Sequence, residues 1–273
     1  MRKSIFIILT SILILSDSCA VQKKTGTMVR LETMYGDIII KLYPETKNHH
    51  DNFVKLVNAG FYNGILFHRV IANFMIQAGD PDSKTSKAGA SLGSGDVGYT
   101  IPSEFIYPKY YHKRGALAAA RQGDNSNPLK ASSGCQFYIV EGKTFTDTAL
   151  DSIESVNKQK LEGNLFRKIA NNRKAEIEKY RIERNQPKLD ALRDSILAVV
   201  KVDIEKNTSY KFTERQRIDY KTIGGTPHLD GEYTVFGEVT KGIEIVEKIS
   251  KAKTGSNDRP IEDIKVIKAK IIK

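Results

Sequence analysis

The sequence predicts a mainly β protein, an antiparallel barrel closed on itself and interrupted by a long helical insertion. Its apolar segments are short, strand-like and separated by turn residues. Outside the middle of the chain, helical spacing appears only over residues 46–59 and 243–249, and strands never alternate with helices as a parallel sheet would require. Between residues 144 and 222 the composition changes: Gly163 is the only glycine, Pro187 the only proline, and 17 Lys/Arg stand against 13 Asp/Glu. That is helical material. A chain of 273 residues can bury one full core and still carry such an appendage.

Residues 28–43 hold two apolar-rich runs about Tyr35-Gly36-Asp37, a hairpin signal, and Pro44 ends the second. Over residues 46–59, Phe53, Val54, Leu56 and Val57 follow helical spacing, and Gly60 suits the left-handed residue that closes a helix. The glycine-rich residues 89–98 lack a Walker lysine and a strand-turn-helix context, so they read as a loop and not as a phosphate cradle. Residues 115–120, 136–140, 234–239 and 264–272 read as strands, and residues 243–249 as a helix after Gly242.

Inside the insertion, Leu161, Leu165, Ile169, Ile177 and Tyr180 mark one narrow apolar stripe, and Leu189, Leu192, Ile196 and Val199 a second. Gln186-Pro187 separates them, so two antiparallel helices joined near Pro187 are expected, satisfying each other and offering little to the barrel core. A third, short helix is expected from Thr213, where Thr213 and Gln216 have capping-box spacing.

The N-terminus reads as a targeting segment. Arg2 and Lys3 precede an apolar run, Ile5 to Leu15, too short to span a bilayer. The run ends at Leu15-Ser16-Asp17-Ser18-Cys19, which resembles a bacterial lipoprotein processing site with Cys19 as the lipidated residue. The chain then divides into a signal peptide (1–18), a polar tether (19–27), a barrel in two parts (28–143 and 223–273) and the insertion (144–222). This places the protein in the bacterial cell envelope, membrane-anchored and facing the periplasm. Lipidation of Cys19 leaves Cys135 without a partner; it reads as a small core residue, and no disulfide is expected.

Residues 67–80 say most about function. Strand geometry sends residues two apart to one side, so Phe67, Arg69 and Ile71 are expected on one face, with Met75 and Gln77 together beyond a local irregularity. An arginine among large apolar side chains needs a carboxylate, a carbonyl or a ligand. The pattern Phe67-His68-Arg69-Val70-Ile71, Phe74-Met75, Gln77, Gly79-Asp80 resembles the central motif of the cyclophilin family of peptidyl-prolyl cis-trans isomerases. Residues 92–105, 133–139 and 229–237 follow in the family's order, so the resemblance covers residues 28 to about 143 and about 223 to 273.

The resemblance implies an eight-stranded barrel with a helix over each end and isomerase activity without a cofactor. It makes Arg69 and Gln77 the catalytic pair. It sets Phe74, Met75, Tyr138 and Leu229 around a proline pocket, and has Gln77 and Gln136 bond the substrate backbone or position Arg69. Ala120 and Arg121 align with a backbone-binding Ala-Asn pair, so Arg121 is a departure. Tyr138 stands where the family commonly has phenylalanine, His228 where many members carry tryptophan, and Tyr233 replaces a frequent histidine. Typical members lack the long insertion.

Partners follow from this: proline-containing segments of exported proteins, a membrane through the lipid on Cys19, and a protein docking on the insertion. A binding or chaperone module with weak catalysis is the competing reading. The net charge of +11 is interleaved with acids and forms no basic run, so nucleic acid is not an expected partner. The histidines show no metal-ligand spacing, and there is no nucleophile, base and acid set for a hydrolase. His68 falls on the opposite face from Arg69 by alternation and reads as structural.

Overall fold

The computed structural model describes residues 26–272; the targeting segment, Cys19 and most of the tether lie outside them. Ten strands form: β1 (Met28–Thr33), β2 (Gly36–Leu42), β3 (Phe67–Ile71), β4 (Met75–Ala78), β5 (Thr100–Ile101), β6 (Ala116–Ala119), β7 (Ser132–Ser133), β8 (Phe137–Val140), β9 (Val235–Lys241) and β10 (Val266–Ile272). Eight build one antiparallel sheet in the order β10-β1-β2-β9-β6-β8-β4-β3, and β5 pairs with β7 apart from it.

The sheet curls into a half-barrel and does not close, which corrects the closed barrel expected from the sequence. Its end strands, β3 and β10, are not paired as strands and meet through a single bridge, Leu66 to Lys265. At that end Phe67 N–H donates to Ile264 O at 2.8 Å and Val266 N–H to Ile65 O at 2.8 Å. Further along, β3 has the turn at Ser256–Asp258 beside it in place of a strand.

Strand alternation gives the sheet two apolar faces. The inner face carries Leu31, Ile38, Ile76, Leu117, Phe137 and Ile139, all buried, under helices α1 (Lys47–Asn58) and α6 (Ile243–Ser250). α1 ends as its sequence predicts: Gly60 is left-handed at φ 66°, its N–H reaches Val57 O, and Phe61 N–H reaches Leu56 O. Glu104 accepts from Asn48 and His49 N–H at the start of α1, each at 3.0 Å. Cys135 belongs to the inner core, and burial pushes its thiol up to about 11, so it is unreactive at neutral pH.

The outer face carries Met75, Ala116, Ala118, Ala120, Tyr138, Val140 and Val235, with Phe74 and Leu229 packed against them. The alanines of β6 leave room on this face. Phe67 and Arg69 do not share a face: the β3–β4 register shifts between them, so Phe67 packs inward with Val70, while Arg69 and Ile71 turn outward with Met75 and Gln77. That bulge frees Arg69 from the core.

The inserted residues form α2 (Asp147–Asn172), α3 (Lys174–Ile182), α4 (Gln186–Lys206) and α5 (Glu214–Thr222). The first expected helix is therefore two, broken at Arg173 just after Asn171 and Asn172, both poor helix formers. α4 buries Leu192, Ile196, Val200 and Ile204 against Leu161, Leu165, Ile169 and Ile177. The stripe runs at steps of four, so Val200 and not Val199 is its third member; Val199 is exposed. α5 has the full capping box of Thr213 and Gln216.

The base of the insertion differs from the expectation that it gives little to the barrel. Leu150, Phe212 and Tyr220 form a buried cluster with Tyr111, which precedes β6. Arg217 of α5 bonds Asp147, Asp151 and Glu154 of α2, tying the base together. Gly225, at the neck, lies so close to His112 O and Tyr220 that no side chain would fit there.

Candidate active site

A cavity of about 160 Å³ opens on the outer face. Phe74, Met75, Tyr138 and Leu229 form its apolar wall, Ala120 and Tyr233 complete it, and Arg69, Gln77 and Arg121 stand around it. β4 and β8 set the geometry: Met75 and Gln77 face outward at alternate positions, with Gln77 directly opposite Tyr138.

Arg69 is one of two arginines that line the cavity. Its side chain is 42% exposed, and its Nε donates to Asp258 Oδ2 at 3.2 Å. This carboxylate is presented by a tight turn in which Asn257 and Asp258 are both left-handed, at φ 58° and 57°. Arg259 holds the turn, donating to Ala90 O at 2.5 Å and Asp263 Oδ1 at 2.9 Å. With Nε engaged, the two terminal nitrogens of Arg69 are left to face a ligand.

Gln77 donates to Gln136 Oε1 at 3.0 Å, and Gln136 Nε2 donates to Gly93 O at 2.9 Å and Gly95 O at 2.8 Å. Gln136 therefore lies off the apolar cavity, on a neighbouring groove of about 760 Å³ that also reaches Tyr99, Ala120 and Arg121. The Arg121 side chain is folded back: Nε donates to Glu232 O at 2.8 Å, Nη1 to Gln122 O and Asp124, and the guanidinium stacks 4.5 Å over Tyr233. The Arg121 backbone N–H and C=O make no hydrogen bond among the described residues, whereas those of Ala120 bond Gln136 and Ser133. His228 is not on the cavity wall; its ring stacks on Phe74 with centroids 5.7 Å apart.

His68 is buried, and burial pulls its pKa down to about 4, too weak for a general base at neutral pH. Among the described residues no cluster of His, Cys, Asp or Glu could hold a metal ion.

Comparison with known proteins decides the family. The family profile for "Cyclophilin type peptidyl-prolyl cis-trans isomerase/CLD" matches residues 28–159 and 165–271. This chain is a cyclophilin. Its relatives include a Staphylococcus haemolyticus protein carrying the peptidyl-prolyl cis-trans isomerase name, 30% identical over 237 residues and 86% of each chain. Peptidyl-prolyl cis-trans isomerase-like 1 of Gibberella zeae is 27% identical over 251 residues, 90% of this chain and 95% of that protein. A Streptococcus pyogenes protein named for both phosphatase and isomerase is 29% identical over 246 residues, but the chain spans only 38% of its length. Among solved structures, a Cryptosporidium parvum cyclophilin has the same fold, with TM-score 0.52 and 20% identity over 91% of this chain and 98% of that one. The cyclophilin is accordingly a peptidyl-prolyl cis-trans isomerase.

Two supports of this site escape a reading of the sequence. Asp258 lies 189 residues from Arg69, in a turn with no motif of its own. Tyr138 did carry a signal, because a buried tyrosine hydroxyl needs a partner. The partner is His112, whose Nε2 lies 3.0 Å from the hydroxyl.

Proposed function

We propose that the cyclophilin turns Xaa-Pro bonds of exported polypeptides, with the prolyl ring in the apolar cavity and Arg69 acting electrostatically on the twisted amide. Rotation about the bond is opposed by about 18–20 kcal/mol, because the amide nitrogen shares its lone pair with the carbonyl. In the twisted state the lone pair returns to the nitrogen, and a fixed cation beside it stabilises that state more than the planar one. Arginine suits this role because its charge is permanent and its fork of donors rigid, where a lysine would be mobile and heavily hydrated. Gln77, across the strand pair from Arg69, holds the flanking backbone.

The observation that carries this reading is a guanidinium whose terminal nitrogens make no hydrogen bond among the described residues, at the rim of a ring-sized cavity with an apolar wall. Exchange spectroscopy on a short proline peptide with the purified chain tests it. Accelerated cis/trans exchange is expected; binding without acceleration would favour the competing reading of a proline-binding module.

The cellular setting rests on the N-terminal sequence alone. The charged start, the apolar run and Cys19 support a lipid anchor in the bacterial envelope, facing the periplasm, with the helical insertion giving larger clients or a protein partner a second contact. Membrane fractionation of wild type and Cys19→Ser tests the anchor. The variant should leave the membrane fraction; its full retention there would remove the case.

A further inference from the structure

Behind the cavity wall lies a chain of buried polar groups that joins the outer face of the sheet to the insertion. Tyr138, whose ring forms part of the wall, has its hydroxyl 3.0 Å from His112 Nε2. His112 Nδ1 lies 3.0 Å from Asp230 Oδ1, and the same oxygen accepts the His112 backbone N–H at 2.8 Å. The other carboxylate oxygen accepts the hydroxyl of Tyr220 at 2.6 Å, and Tyr220 belongs to α5. The side chains of His112 and Asp230 are 1% and 2% exposed, and Tyr220 is fully buried.

The donors can be assigned along the whole chain. A carboxylate only accepts, so His112 donates from Nδ1, and in the neutral ring Nε2 is left as an acceptor. Against that neutral ring the Tyr138 hydroxyl donates inward, away from the cavity. The backbone is fixed at the same place: Thr226 N–H donates to His112 O at 2.8 Å, and Gly225 packs on that carbonyl where a Cβ would lie only 2.3 Å away. Asp230 directly follows Leu229, another part of the wall. One carboxylate thus anchors two wall residues, Tyr138 through His112 and Leu229 through the backbone, and its remaining oxygen is held by the insertion.

We infer that α5 is a working part of the proline pocket, with Tyr220, Asp230 and His112 as positioning residues that set the wall formed by Tyr138 and Leu229. This rests on reading the cavity as the proline site. Tyr220 does not line the cavity, and its hydroxyl reaches the wall through Asp230. The insertion is then a specificity element for the bond it helps to turn, beyond any contact it makes with a larger client.

The test is a double-mutant cycle on Tyr220→Phe and Tyr138→Phe, both of which keep the ring and remove one hydroxyl. The readouts are the affinity for a short Xaa-Pro peptide, by titration, and the exchange rate at saturation. Tyr220→Phe should weaken binding about fivefold with little change in saturated exchange, because Arg69 is untouched, and should add almost nothing once Tyr138 has lost its hydroxyl. Unchanged affinity in Tyr220→Phe, or the same loss in both backgrounds, would overturn the inference. The ring ¹⁵N spectrum of wild-type His112 needs no variant: an Nδ1-protonated ring is expected, and an Nε2-protonated ring would overturn the chain of donors. If the wild-type chain neither binds nor turns the peptide, the proline-site reading falls; if it does both and the cycle shows no coupling, only the role of α5 falls.

Discussion

Two deletions in the insertion should have very different consequences for the barrel. The long one removes residues 144–222; the short one removes residues 157–207, and each gap is closed with a glycine-rich linker. The short deletion takes away the hairpin whose core is Leu192, Ile196, Val200 and Ile204 packed on Leu161 and Leu165, and leaves Leu150, Phe212 and Tyr220 in place. The long deletion uncovers Tyr111, now 9% exposed, and takes the Tyr220 hydroxyl from Asp230. Re-exposing a large ring costs about 1.5–3 kcal/mol, and leaving the buried carboxylate short of a donor about 1–3 kcal/mol more. Against a total stability of about 5–15 kcal/mol, a loss of roughly 3–6 kcal/mol is severe. Loop closure adds little, because it changes slowly with length. In urea, with a slope of about 2 kcal/mol per molar, the long deletion should lower the barrel's midpoint by roughly 2 M, while the short one stays near wild type. Equal midpoints for the two deletions would refute the claim that the base of the insertion supports the half-barrel.

Two further outcomes are expected. Asp258→Ala should slow peptide exchange about threefold by releasing the Arg69 side chain, whereas Asp258→Asn, whose amide oxygen still accepts from Nε and which tolerates the left-handed φ of 57°, should keep the rate; because the pair is exposed, the Asn variant should change stability by no more than about 1 kcal/mol. Equal loss in both variants would show that the charge matters and the aim does not. For His68, burial lowers the folded-state pKa from 6.5 to about 4, so the unfolded chain takes the proton first. Its contribution is present above about pH 6.5 and is lost as pH falls towards 4, by about 3 kcal/mol in all. Denaturation from pH 7 to 4 should show a shallower fall in His68→Gln than in wild type, and identical slopes would count against the assignment.

Much of the fold is legible in the sequence because its signals are local. The Tyr35-Gly36-Asp37 hairpin, the Gly60 helix end and the Thr213–Gln216 box each lie within a few residues. Strand alternation places Met75 and Gln77 together, but it cannot reveal the bulge that turns Arg69 away from Phe67, since the extra residue leaves the apolar pattern intact. The open seam is hidden for a different reason: closure depends on what lies between β3 and β10, and the turn carrying Asp258 has no sequence signal that would seat it there. Val199 and Val200 are neighbours of equal hydropathy, so only the partner helix decides which is buried. The hydrogen bonds between Tyr138 and His112 and from Tyr220 to Asp230 join segments that the sequence presents as parts of separate units.

Arg69 is held to act in the twisted state and not merely in holding the peptide. The direct measurement compares wild type with Arg69→Ala in two quantities, the affinity for a short Xaa-Pro peptide and the rate of cis/trans exchange at saturation. Removal of a preorganised charge from a transition state typically lowers a rate by about 10²–10³. A fall of about a hundredfold in saturated exchange, with affinity changed less than about threefold, is the predicted result. A folded Arg69→Ala protein that turns the bound peptide as fast as wild type, or that loses only affinity, would contradict it.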